Sequence, residues 1–148
     1  MDPLKARKRW LSVLTHSQPA QLLAHWQPLN LHPHYERLRA PETGLTRLQA
    51  RMGGTGRRFI LGDTTVTRAV VRLDEGICGY SYVITRNKEH AELCALMDAL
   101  LQQSSSAELI QQKIIAPLAA ARQEQLTLRA REIASSRVDF FTLVRGDN

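Results

Sequence analysis

Apolar and polar positions change rhythm three times along this chain of 148 residues. From about 4 to 16, Leu4, Trp10, Leu11 and Leu14 fall near helical spacing with basic residues between them, which predicts a first helix. Ser17 stands before Pro19 and the apolar run Ala20–Trp26. A serine cap with proline in the first turn predicts a second helix that Pro28 closes. Residues 28–34, with two prolines and two histidines, read as a loop.

The middle alternates. Leu48, Ala50 and Met52 share one side of a strand over 45–52, and Arg47, Gln49 and Arg51 the other. Phe59–Leu61 reads as a short apolar strand. Over 64–73 the pattern separates Val66, Arg68, Val70 and Arg72 from Thr65, Thr67, Ala69, Val71 and Leu73. Asp74–Gly76 is a turn, and 77–85 is a further strand that completes a hairpin. Asn87 then caps a helix over 88–103, with His90, Leu93, Cys94, Met97, Leu100 and Leu101 on one stripe. Ser104–Ser106 breaks it. A last helical region, about 107–135, is split or kinked at Pro117. The end, Val138–Arg145, is apolar and β-prone, and sequence of that kind so near a terminus is expected to insert into a sheet or reach another chain. These elements predict one α+β domain over 1–148: an antiparallel sheet of about four strands, N- and C-terminal helices packed on it, and an apolar C-terminal tail.

Composition narrows the partners. The formal charge is +6, and arginine far outnumbers lysine. A basic balance favours anions, and arginine favours fixed, bidentate contacts and interface pairs. Cys78 and Cys94 form no metal or disulfide spacing, no apolar run is long enough to span a bilayer, and no signal peptide is present. The chain therefore reads as cytoplasmic, without a membrane partner.

The candidate chemistry is sparse. Gly53, Gly54, Thr55 and Gly56 lie between Arg51 and Arg57. This loop is neither a GxxxxGK[ST] phosphate loop nor a GxGxxG loop opening a helix. It is either a wide turn using the freedom of glycine or a nest of backbone N–H groups for an anion. Arg47 and Arg51 share a face of one strand, and Arg68 and Arg72 a face of another. If those strands pair, the four arginines form one positive patch, and their mixture with Val66 and Val70 suits a surface covered by a partner. His32 and His34 lack the further ligands of a metal site. No nucleophile and base stand in a recognisable pattern, so no catalytic residue and no metal site are assigned. His90, on the apolar stripe, together with Phe140, Phe141 and Arg145 in the tail, are the partner-interface candidates. Few aromatics and no nucleic-acid motif argue against a nucleic-acid partner. The alternative is a stand-alone basic domain that binds phosphate or nucleic acid.

Several stretches together carry a resemblance over essentially the whole chain: Ser17–Ala20, Glu42–Gly44, Gln49–Gly56, Gly62–Asp63, Thr67–Ala69 with Val71–Leu73, Gly79–Ser81, His90–Glu92 with Cys94–Leu96 and Asp98–Leu100, Val138–Thr142 and Val144–Asn148. In this order they resemble the PhnG family, subunits of the bacterial carbon–phosphorus lyase machinery. The resemblance implies a core complex with the H, I and J subunits and a functional link to the ATPase-like L subunit. It also implies a part in transferring the ribose 5-triphosphate moiety of ATP to an alkylphosphonate with adenine release. ATP would be a substrate of the complex rather than a cofactor of this chain, whose role would be structural or co-catalytic.

Overall fold

The computed structural model describes residues 2–51 and 58–146, with side chains omitted at 47–51, 58–61 and 137–146. Helix α1 runs Pro3–Thr15, and Asp2 caps it by accepting from the Leu4 N–H at 3.2 Å. Helix α2 runs Pro19–Trp26. Ser17 is not its cap as the sequence suggests. The Ser17 hydroxyl donates back to the Leu14 carbonyl at 2.6 Å and closes α1, while Gln18 holds the cap position. Pro28 sits in a single 3-10 turn, Gln27–Leu29, which ends on Asn30 at a left-handed φ of 51°.

Three strands follow: β1, Tyr35–Arg51; β2, Arg58–Leu73; and β3, Cys78–Val83, in the order β1-β2-β3 and antiparallel. The sheet thus has three strands where the sequence suggested about four. The segments 59–61 and 64–73 belong to one strand because Gly62, at φ 141°, carries the backbone through a conformation other residues rarely adopt. Strand β1 begins ten residues before the alternation that marked it. Pro41, Gly44 and the charges of 36–42 hide it, and an edge strand tolerates them at the cost of register shifts between Arg39 and Glu42. Gly76, at φ 93°, turns β2 into β3.

Helix α3, Lys88–Gln102, starts on Asn87, whose side chain accepts from the His90 N–H at 2.9 Å. It fills the centre of the molecule, and every residue from Cys94 to Leu101 is buried. Ala91, Ala95 and Ala99 repeat at four-residue spacing, and a Cβ on Gly79 of β3 would lie 1.9 Å from the Ala95 carbonyl oxygen. Small side chains on both elements therefore allow helix and sheet to touch backbone to backbone. Ala69, Val71 and Leu73 of β2 pack from the sheet, and Trp10, Leu14, Leu22, Ile110, Ile114 and Leu118 close the other side.

Ser104–Ser106 opens α4 (Ser104–Ile110) rather than ending helical structure, and the Ser106 hydroxyl reaches back to the Leu100 carbonyl at 2.7 Å. A π-helical turn, Gln111–Ile115, leads into α5, Ala116–Gly146. Pro117 is the second residue of α5, so the missing proline N–H falls where the helix changes pitch. The tail is a correction to the sequence reading: 138–146 continues α5 as helix and adds no strand. Its aromatic side chains, Phe140 and Phe141, lie outside the described residues. At 31 residues α5 is about 46 Å long, and every residue from Gln123 to Ser136 is exposed.

Candidate functional site

Alternation along β2 sends Thr67, Ala69, Val71 and Leu73 to α3 and Arg68, Val70 and Arg72 to the opposite face. Residues opposite one another on neighbouring strands share a face, so the register assembles the rest of this outer surface. Tyr82 lies beside Arg68 and Tyr80 beside Val70; on the other flank Glu42, Arg39 and Glu36 stand opposite Arg68, Val70 and Arg72. Tyr80, Tyr82, Leu38 and Ile84 are about half exposed or more, at 50, 52, 48 and 63%. Helix α1 meets this face at Tyr80, where the Arg7 guanidinium lies over the ring, and leaves these four side chains exposed. A shallow groove of about 680 Å³ runs along this face between Leu38, Val70 and the two tyrosines, with Arg39 and Arg68 on its wall and Leu11 of α1 at one end. Apolar and aromatic groups at the centre with arginines beside them make the composition of a surface another protein covers.

The arginines of the sequence reading are distributed, not gathered. Arg72 pairs with Glu36. Arg68 and Arg39 have no carboxylate within ion-pair distance among the described residues. Arg47 stands opposite Asp63 and Arg51 opposite Arg58, which puts Arg47 five register steps, about 17 Å, from Arg68. Gly53, Gly54, Thr55, Gly56 and Arg57 lie outside the described residues, as do the side chains of Arg47, Arg51 and Arg145.

His90 is placed inside the body. It is 4% exposed, its Nδ1 has no hydrogen-bond partner among the described residues, and its Nε2 lies 3.6 Å from the Cys94 thiol. Burial lowers its pKa from the ordinary histidine value and pushes the Cys94 thiol up to about 12. A thiol held protonated in this way is no nucleophile at neutral pH. His90 and Cys94 accordingly serve the core rather than a surface.

One cluster escaped the sequence reading. Asp98 is fully buried and receives four hydrogen bonds: from Trp10 Nε1 at 2.9 Å, from Arg7 Nε at 3.2 Å and a terminal guanidinium nitrogen at 2.9 Å, and from the Tyr80 backbone N–H at 3.0 Å. The hydrogen bonds from Arg7 to the Asp98 carboxylate raise the guanidinium above its ordinary pKa, and its Cζ lies 5.5 Å from the centre of the Tyr80 ring. With its lone pairs occupied, Asp98 is a pin joining α1, α3 and β3 rather than a free base. The available signal was an acid within an apolar helix stripe, together with Arg7 and Trp10 one turn apart. Among the described residues no three His, Cys, Asp or Glu side chains converge as metal ligands, and no helix is long and apolar enough to cross a membrane.

A pinned helix–sheet body with an exposed aromatic and arginine face defines an α+β domain. Comparisons with known proteins give its family. A family model described as "Phosphonate metabolism protein PhnG" matches residues 5–146, and the chain belongs to this family. It is 35% identical, over 145 residues, to a Rhizobium meliloti (strain 1021) protein named as the PhnG subunit of alpha-D-ribose 1-methylphosphonate 5-triphosphate synthase; the match covers 96% of this chain and 90% of the relative.

Proposed function

We propose that this chain is the G subunit of a cytoplasmic assembly that transfers the ribose 5-triphosphate moiety of ATP to an alkylphosphonate. In that reaction the bond from ribose C1 to adenine breaks, a bond from C1 to a phosphonate oxygen forms, and adenine leaves. The observation that carries this reading is the match along 96% of the chain to a synthase subunit. The exposed sheet face supports it. The partners are the H, I and J subunits of the core complex and, functionally, the L subunit. This chain is a structural or co-catalytic member and contributes surfaces and fixed positive charge to them.

The test is adenine release from ATP in the presence of methylphosphonate. G, H, I and L together are expected to release adenine; omission of G is expected to abolish release, and G alone to release none. Release by G alone, or undiminished release without it, contradicts the proposal. Residues 51–58 have one of two roles here, and Arg51→Ala separates them. Weakened nucleotide or phosphonate handling with assembly intact assigns the loop to an anion. Lost assembly assigns it to a neighbouring subunit.

A further inference from the structure

The sheet has two edges, and the fold treats them differently. Successive residues of a strand direct their N–H and C=O groups alternately to the two sides. At the β3 edge, the outward Tyr80 N–H is taken by Asp98 at 3.0 Å and the Cys78 carbonyl by the Gln102 side chain at 2.9 Å. That edge is closed by α3.

The same observation fixes the polarity of the other edge. Because the Tyr80 N–H points away from the sheet, its partner Val70 turns its own N–H and C=O toward β1. Alternation then points those of Arg68, Val66 and Thr64 the same way, to Glu42, Gly44 and Thr46. On β1 the intervening Thr43 and Leu45 must direct their N–H and C=O groups out of the sheet. The run Glu42–Leu48 is in unbroken register with β2, residues 42–45 are exposed, and Leu45 is 73% exposed. Before this run, Pro41 and two register shifts disrupt the edge, so the pairing surface is short and defined. Long regular edges left open invite another strand.

From this polarity we infer that the β1 edge at Thr43–Leu45 receives an extended strand from a different subunit of the complex, which hydrogen-bonds to Thr43 and Leu45 and packs an apolar side chain on Leu45. This rests on the subunit reading above. A second copy of this chain is disfavoured by its charge. Each copy carries a net +6, so two copies repel. Arg39 and Arg68, unpaired among the described residues at the start of the run, fit a partner strand flanked by carboxylates.

The experiment compares amide exchange at Thr43 and Leu45 in the isolated chain and in the complex co-expressed with H, I and J, and repeats the co-expression with Leu45→Pro. Proline removes only an outward N–H, which an edge position tolerates. Assembly is expected to slow exchange at both amides by about tenfold or more, and Leu45→Pro to cut recovery in the complex to about a tenth while the isolated variant keeps its circular dichroism. Unchanged exchange in the complex, or normal assembly of a folded Leu45→Pro chain, overturns strand addition and leaves the subunit reading standing. If Leu45→Pro does not fold, the exchange rates decide alone. Failure of the wild-type chain to join the complex overturns both readings, and a dimer of the isolated chain with these amides protected overturns the choice of partner.

Discussion

Helices α3 and α5 are built from similar proportions of alanine and charge, yet they live in opposite surroundings. Over Cys94–Leu101 α3 has no exposed residue, whereas α5 has no buried one over Gln123–Ser136. The first is held by a core on both sides and by Asp98, which ties it to α1 and β3. The second is twice as long, and after Leu118 it meets the body through Ala119, packed on the core, and Arg122, which donates to the Ser12 hydroxyl at 2.8 Å. Leu126, Leu128 and Ile133 stay 47, 50 and 53% exposed along it. One helix is what the chain folds around. The other, like the sheet face with Tyr80 and Tyr82, carries exposed apolar side chains that the chain leaves open on its own. In a family of complex subunits such surface is expected to be covered by neighbours.

The sharpest way to break this contrast is Asp98→Ala. It strands the Trp10 and Tyr80 N–H groups and a partly buried guanidinium, and is expected to cost about 3–5 kcal/mol in urea unfolding. A loss below about 1 kcal/mol would show that the three elements are held without the carboxylate. Gly79→Ala comes next. Its new methyl meets the Ala95 carbonyl at 1.9 Å, so α3 must lift from β3, at an expected cost of about 1–3 kcal/mol by the same measurement.

The buried histidine gives a smaller effect with a defined sign. Burial lowers the His90 pKa in the folded chain below the ordinary 6.5, so the unfolded chain takes up a proton the folded chain resists. The stabilisation is full above the unfolded value and is lost as pH falls below it. A positive charge in the first turn of α3 would also oppose the helix dipole. The urea midpoint is expected to fall between pH 7 and pH 5 in the wild type, and to fall less in His90→Gln; equal slopes would contradict this. The smallest effect on stability belongs to the other region. Deleting 138–148 removes the end of α5, past the exposed stretch Gln123–Ser136, and is expected to change the unfolding free energy by about 0.5 kcal/mol or less. The same deletion is expected to abolish assembly with partner subunits, read by co-purification.

What the sequence made legible follows the same division. The stripe of α3, its Asn87 cap, the two faces of β2 and the turn at Gly76 were readable because each depends on local spacing. Lost to inspection were the features that depend on partners distant in sequence. Asp98 looks misplaced until Arg7 and Trp10 arrive from another helix. The first ten residues of β1 lack alternation because charges, Pro41 and Gly44 interrupt it and two register shifts break the period. The tail misled for a related reason: Phe140, Phe141, Leu143 and Val144 suit a strand by propensity, but they extend an established helix, and extending a helix is easier than starting a strand. For the candidate site, the pattern located Arg68 and Arg72 on a common face, but their separation from Arg47 depends on strand register. Tyr80 and Tyr82 joined that face only once β3 was in place.

The central claim is that the uncovered regions are subunit surfaces. Its most direct test is co-expression of this chain with the H, I and J subunits, followed by mass determination of whatever co-purifies. A stoichiometric complex containing this chain is the predicted result. A monodisperse free chain that leaves the other subunits unbound would contradict it, and the tyrosine and arginine face would then need an explanation within a stand-alone protein.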